Sequence, residues 1–351
     1  MAQGRGTRDV TDRATSDPER IGHFNQLAHP ERIGSFNYLA HSVRTSLHRN
    51  GAVRIRRDRD GSDSDLVGLA IEKRDVPVHD ARLLMGEARC TLARNGFELL
   101  PWSGGVADLD FLRHEDVVER YYEPCVQLVQ KATGAAQVFA FDHNVRSARA
   151  KKSRTRIAGG QQVQAPAHMV HGDYTLDSAP RRLRDLARPP TGNDTLRSFL
   201  AEGASLISTE RVEAALRDGG RFAIINVWRN IADEPVATHP LALCDAQTVD
   251  PEDLVVFEIH YEDRVGENYF ARHAPRHGWY TYPGITRDEA LLIKQWDSAG
   301  TLARSSGAEG DARGSDAPCT FSFHSAFKDP RTPPDAPDRF SIEVRCAALY
   351  G

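Results

Sequence analysis

The sequence has no apolar run approaching the ~18–20 residues that a membrane-spanning helix requires. Its first residues, Met1-Ala2-Gln3-Gly4-Arg5-Gly6, carry no hydrophobic segment, so neither a membrane span nor a secretory signal peptide is expected. Cysteine is scarce: the five residues Cys90, Cys125, Cys244, Cys319 and Cys346 are scattered, and none forms a C-x-x-C pair. That argues against a disulfide framework and a cysteine-based zinc site, and a soluble, reduced, cytoplasmic setting is expected. In that setting the Asn193-Asp194-Thr195 sequon carries no meaning. An excess of charge of one sign is also missing. The 45 Lys+Arg and 49 Asp+Glu leave a formal charge of −4, whereas a dedicated nucleic-acid binder is normally strongly basic. There is no GxxxxGK[ST] phosphate loop, no GxSxG elbow, no HExxH helix and no convincing GxGxxG.

What is present is enough chain for a real core: 351 residues, 40% of them hydrophobic, hence one large domain or two small ones. Residues 1–20 are polar and poor in large apolar groups, and a disordered tail is expected there. A tandem duplication follows, PERIGHFNQLAH (Pro18–His29) then PERIGSFNYLAH (Pro30–His41). Two copies are too few for a solenoid, and the segment reads as a local duplication in an N-terminal extension spanning 21–135. Apolar spacing predicts helices over 76–94 and 113–132 and again over 286–296. Short strand-like runs are expected at 136–141, 168–175, 221–228, 240–244, 254–261, 269–273, 279–282, 320–327 and 340–349. The segment 303–318, rich in Gly, Ser, Asp and Ala, reads as a surface loop. The fold class expected is α+β with a mainly β core, a sandwich or jelly roll, preceded by helices. The core is placed at 136–351 and forms one structural unit with the helices.

The candidate chemistry lies in His and carboxylate pairs. On a strand, a His-x-Asp or His-x-Glu pair puts both side chains on one face. One more His from a neighbouring strand gives a facial set of three metal ligands with open positions. Four such pairs occur: His29/Glu31, His114/Asp116, His171/Asp173 and His260/Glu262. The first lies in the repeat. The second opens a predicted helix, where the two would not share a face. His260/Glu262 sits in a good strand and competes with His171/Asp173, whose intervening Gly172 permits close approach to the backbone. Towards the C-terminus, Phe323-His324-Ser325 supplies a third His. After a Pro-rich turn, Arg339, Ser341, Glu343 and Arg345 share one strand face. An Arg and a hydroxyl two residues apart can together hold a carboxylate. Against this stands a structural reading: buried hydrogen-bonded histidines, a surface Asp173, and an ion pair of Arg339 with Glu343 or Asp338.

Longer blocks carry a family resemblance. FDHNVR (Phe141–Arg146), VHGDYT (Val170–Thr175), INVWRN (Ile225–Asn230), PLALCD (Pro240–Asp245), HAPRHGWYTYPGITRDEALLIKQWDS (His273–Ser298) and FHSAFKDPRTPPDAPDRFSIEVR (Phe323–Arg345) span residues 138–347, about 60% of the chain. This stretch resembles the family that includes gibberellin-desaturase-like proteins, the fungal hydroxylase/desaturases of secondary metabolism and the small component of cephalosporin 7α-methoxylase. The resemblance implies a double-stranded β-helix that binds Fe(II) and uses 2-oxoglutarate, with O₂ as the other cosubstrate. It places the metal on His171, Asp173 and His324 and favours that pair over His260/Glu262. It puts the far carboxylate of 2-oxoglutarate on Arg339 and Ser341, with Arg345 as the substitute cation and Asn226 as a pocket residue. The implied activity is hydroxylation or desaturation of a small natural-product intermediate. An iron oxidase whose substrate itself chelates the metal, without 2-oxoglutarate, is an alternative. Another is a substrate-binding or stabilising component that works with a partner enzyme; a homodimer is also compatible.

The other notable features have plainer readings. His273 and His277 mimic an H-x-x-x-H spacing, but Pro275 opposes the helix such a pair needs, so packing or pocket lining is expected. The basic run RSARAKKSRTR (Arg146–Arg156) reads as a solvated loop or a lid rather than a nucleic-acid patch.

Overall fold

The computed structural model describes residues 1, 32–57, 63–105, 108–160, 162–192, 194–262, 264–308 and 317–351. The chain divides into two units, Met1–Glu31 and Arg32–Gly351, and only the second is described below. The expected tail, the first repeat copy, the His29/Glu31 pair and the middle of the loop at 309–316 lie outside the described residues.

The second unit is built on two sheets. Strands β1 (Arg32–Leu39), β2 (Arg54–Arg57), β3 (Asp63–Val67) and β4 (Ile71–Asp80) come first, then β5 (Phe97–Pro101) and β6 (Gln137–Arg146). The rest are β7 (His171–Gly172), β8 (Phe222–Asn230), β9 (Leu241–Cys244), β10 (Leu254–His260), β11 (Val265–Ala271), β12 (Trp279–Thr281), β13 (Glu289–Asp297), β14 (His324–Ala326) and β15 (Ser341–Leu349). Ten form one sheet in the order β1-β4-β12-β9-β14-β7-β11-β10-β2-β3, and five form the other, β5-β13-β8-β15-β6. Helices are short: α1 (His114–Asp116), α2 (Tyr122–Thr133), α3 (Ala148–Lys152), α4 (Ser178–Asp185) and α5 (Thr209–Leu216). Among the described residues no helix is long and apolar enough to cross a membrane.

The five-stranded sheet shows how the sequence sorts its faces. Along β15, Ile342, Val344, Cys346 and Ala348 fall in one core cluster with Tyr121, Tyr122, Cys125 and Val129 of the helical layer. Ala347 and Leu349 join the other cluster. This is the period of two expected of a strand, so Ser341, Glu343 and Arg345 share the second face. The expected helix over 113–132 is present as α1 and α2 joined by a π-helical turn at Val117–Tyr121. It stops where Gly134 takes φ +66° and its N–H reaches the carbonyl of Gln130, a left-handed cap that glycine adopts without strain.

Two expected helices do not form. The stretch expected to be helical over 286–296 is mostly β13, flanked by β5 on one side and β8 on the other. Its continuous apolar run reads equally as a buried helix or a strand buried on both faces. Here Ala290 and Leu292 pack in one cluster and Leu291 and Ile293 in another, so tertiary pairing overrides the helical spacing. The stretch over 76–94 begins inside β4 and continues only as short 3₁₀ turns at Ala81–Leu83 and Gly86–Ala88.

The stretch 32–39 of the second repeat copy is part of the main sheet. It forms β1, pairing antiparallel with β4 from Arg32↔Val78 to Leu39↔Ile71. On its other side the Asn37 carbonyl accepts the N–H of Val170, 2.9 Å away, next to His171. Phe36 stacks on Trp279 with ring centres 4.7 Å apart, and the buried Tyr38 hydroxyl accepts from Trp279 Nε1 at 2.8 Å. Substituting Tyr38→Phe leaves that indole N–H buried without its acceptor. The expected cost is about 1–3 kcal/mol, read as a lower midpoint in chemical denaturation. An unchanged midpoint would show that the indole finds another acceptor.

Candidate metal centre

Two neighbouring strands, with the residue that follows the first, build the site. His171 on β7 and His324 on β14 are Cα partners across the ladder, with imidazole ring centres 4.4 Å apart. Asp173 follows His171 by two and returns to the same face. Its Oδ1 lies 3.6 Å from His171 Nε2 and 3.9 Å from His324 Nε2. One ligand atom from each of the three falls within 4.8 Å of the others. Between His171 and Asp173, a Cβ on Gly172 would come 3.1 Å from the Phe321 ring. The glycine therefore does admit close approach, and the group that approaches is an aromatic floor. Phe321 is stacked parallel to Trp296 at 6.3 Å.

The histidines are oriented from behind. The Nδ1 of His171 donates to the Met169 carbonyl at 2.7 Å, which leaves the Nε2 lone pair facing Asp173 and His324. Burial, then the facing His324, pushes the His171 imidazolium down to about 4, so the neutral, ligating form prevails at neutral pH. Burial acts on Asp173 in the opposite sense, favouring protonation. Arg345, His324, His171 and Asn226 outweigh it and hold the carboxyl well below its usual range. Its N–H meets the Gln295 amide oxygen at 3.3 Å.

Arg345 comes to this cluster rather than to a free anion site. Its guanidinium lies 3.4 Å from Asp173 Oδ2, 2.8 Å from Asp142 and 3.1 Å from Glu343. Asn226 donates to the same Asp173 oxygen at 3.2 Å. Glu343 is also paired with Arg146 at 3.3 Å. Asp142 in turn accepts the Thr195 hydroxyl. The roles of Asp142, Glu343 and Gln295 do not stand out in the sequence. The usable signal was strand alternation, which places Asp142 opposite Arg345 once β6 is paired with β15.

Arg339 and Ser341 present a different picture. Arg339 is 3% exposed. Its Nη1 donates to the His239 carbonyl at 2.5 Å, and its guanidinium lies 5.6 Å from the Trp228 ring centre. The ion pair with Asp338 or Glu343 offered by the structural reading is not formed as a hydrogen bond; Asp338 instead accepts from Ser147 Oγ and the Arg149 N–H. Burial, then the neighbouring Arg146, pushes the guanidinium down to about 9. Arg339 Nε and Ser341 Oγ are buried with no hydrogen-bond partner among the described residues. Polar groups left this way cost free energy, and a carboxylate placed between them would satisfy both. The donor set therefore fits a divalent metal, two imidazoles and a carboxylate, and Arg339 with Ser341 fits one end of a diacid.

The remaining candidates are accounted for elsewhere. His114 opens α1 and turns its Nε2 to the Thr195 carbonyl at 2.8 Å. His260 pairs with Glu258 at 2.8 Å rather than with Glu262. His277 is buried against Tyr38 and 3.0 Å from Asp253, so it packs as expected. Part of the basic run forms α3, with Ser147 Oγ capping the N–H of Ala150.

Residues 36–349 match the family described as "Oxidoreductase/YMDC permease-like domain", and the chain belongs to that family. The hydroxylase/desaturase efuI of Hormonema carpetanum is 27% identical over 292 residues, 78% of this chain and 83% of that one. The Fe(II)/2-oxoglutarate-dependent dioxygenase nvfI of Aspergillus novofumigatus is 30% identical over 233 residues, 66% of each chain. The solved structure of the iron and alpha-ketoglutarate-dependent endoperoxidase NvfI superposes with a TM-score of 0.63 at 22% identity, over 91% of this chain and 98% of that one. These relatives bear out the resemblance read from the sequence blocks.

Proposed function

We propose that this chain is an Fe(II)- and 2-oxoglutarate-dependent oxygenase, a hydroxylase or desaturase of a small natural-product intermediate, built on a double-stranded β-helix. The observation that carries the reading is the conjunction of two features on facing sheets. A largely buried His171–Asp173–His324 donor set lies on one, and at the start of β15 on the other, Arg339 Nε and Ser341 Oγ are buried with no hydrogen-bond partner among the described residues. Relatives named for the same two cofactors support it.

His171, Asp173 and His324 would hold the iron, and two neutral imidazoles with one carboxylate leave positions for further ligands. Arg339 and Ser341 would hold the far carboxylate of 2-oxoglutarate. Together Fe(II), 2-oxoglutarate and O₂ supply oxidation of an unactivated C–H bond, with release of succinate and CO₂. The protein's part is to fix these groups and keep water out. Trp228, Phe321 and Phe323 are buried around the site and serve that end.

Anaerobic addition of Fe(II) and 2-oxoglutarate is expected to give a weak visible charge-transfer band, and His324→Ala is expected to abolish it. Retention of the full band in that variant would remove the ligand assignment. Arg339→Met is expected to raise the 2-oxoglutarate concentration for half-saturation about 10–150-fold, the equivalent of one hydrogen bond to a charged group at about 1.5–3 kcal/mol. No change in that concentration would free Arg339 from its role. Substrate turnover without succinate would favour the substrate-chelating oxidase instead.

A further inference from the structure

The two oxygens of Asp173 face different partners. Oδ1 points to the imidazole nitrogens of His171 and His324, at 3.6 and 3.9 Å. Oδ2 is turned away, 3.4 Å from both Nε and Nη2 of Arg345 and 3.2 Å from Asn226 Nδ2. We propose that Arg345 and Asn226 are positioning residues that hold Asp173 as a one-oxygen metal ligand, rather than residues that bind the cosubstrate. This rests on the iron reading above.

The arrangement is fixed by strand register. Arg345 on β15 has Asn226 of β8 as its Cα partner on one side and Asp142 of β6 on the other. Three adjacent strands therefore deliver the donor, the fork and the fork's anchor in one row. Arg345 is held from behind by Asp142 at 2.8 Å and Glu343 at 3.1 Å, so it cannot swing away from Asp173 without breaking those pairs. A guanidinium is suited to this because its donors are rigid and planar, whereas an ammonium is a point charge on a flexible stem. With Oδ2 occupied, the carboxylate cannot close on a metal with both oxygens. The positions that a two-point chelating cosubstrate needs then stay open. Asn226 uses its amide N–H in this bond, and its Oδ1 is buried with no hydrogen-bond partner among the described residues.

The test uses Co(II) on the metal-free full-length protein. Arg345→Lys keeps the charge and removes the fork, which separates geometry from electrostatics. Arg345→Lys and Asn226→Ala are each expected to weaken Co(II) binding about 10–100-fold, the usual range for groups that orient a ligand. Both are also expected to alter the visible Co(II) spectrum and to weaken 2-oxoglutarate binding to the Co(II) protein. Arg221→Lys serves as the control. It perturbs an equally structural pair with Asp297 and is expected to leave metal affinity and spectrum unchanged. Near-UV circular dichroism checks the fold, and if Arg345→Lys does not fold, Asn226→Ala carries the test. Co(II) affinity, spectrum and 2-oxoglutarate affinity equal to wild type in the folded variants would overturn the proposal while leaving the iron reading intact. Failure of the wild type to bind Co(II) would overturn both.

Discussion

The site depends on a largely buried carboxylate shared between two imidazoles and one guanidinium. A carboxylate removed from water without partners costs several kcal/mol. Asp173 avoids this by facing His171 and His324 on one side and Arg345 and Asn226 on the other. Arg345 is equally dependent, because its own burial is offset by Asp173, Glu343 and Asp142. With Arg146 on Glu343, two guanidinia meet three carboxylates in one cluster. Ionised, the cluster keeps one net negative charge on the side where a cation would sit. Arg339 stands apart from it: its guanidinium donates to the neutral His239 carbonyl and its Nε has no hydrogen-bond partner among the described residues, so an anion reaching that arginine meets a donor not already spent.

The two sheets have distinct parts in this. The ten-stranded sheet contributes the donor atoms through β7 and β14, while the five-stranded sheet contributes the charges behind them through β6, β8 and β15. One end of the inward face of β8 and β15 is apolar, with Ile224, Ala347 and Leu349 in the core. The other end carries Asn226, Glu343 and Arg345. Change along a single strand from packing to chemistry is what lets one core support both. The second repeat copy belongs to the same construction, since the Asn37 carbonyl fixes Val170 one residue before a ligand.

Much of the site was legible in the sequence because its signals are short-range. The two-residue spacings of His171/Asp173 and of Arg339/Ser341 are such signals, although Asp173 lies just past β7 and Arg339 just before β15, so one member of each pair sits on the strand and the other extends it. The strands over 221–228, 240–244, 254–261 and 340–349 were legible for the same reason. What was not legible depends on partners distant in sequence. The run at 289–297 becomes a strand only because β5 and β8 flank it, and the repeat becomes β1 only because β4 and the residue before His171 receive it. Arg345 could be read as a cation for a diacid. Its commitment to Asp173 follows from the register of β15 against β6 and β8, which no local pattern records.

The most direct measurement is anomalous diffraction at the iron absorption edge from crystals grown anaerobically with Fe(II) and 2-oxoglutarate. The account predicts one iron peak among His171 Nε2, Asp173 Oδ1 and His324 Nε2, with the diacid running from it to Arg339 and Ser341 and Arg345 still on Asp173 Oδ2. An iron peak elsewhere, or none among these three side chains, would contradict it.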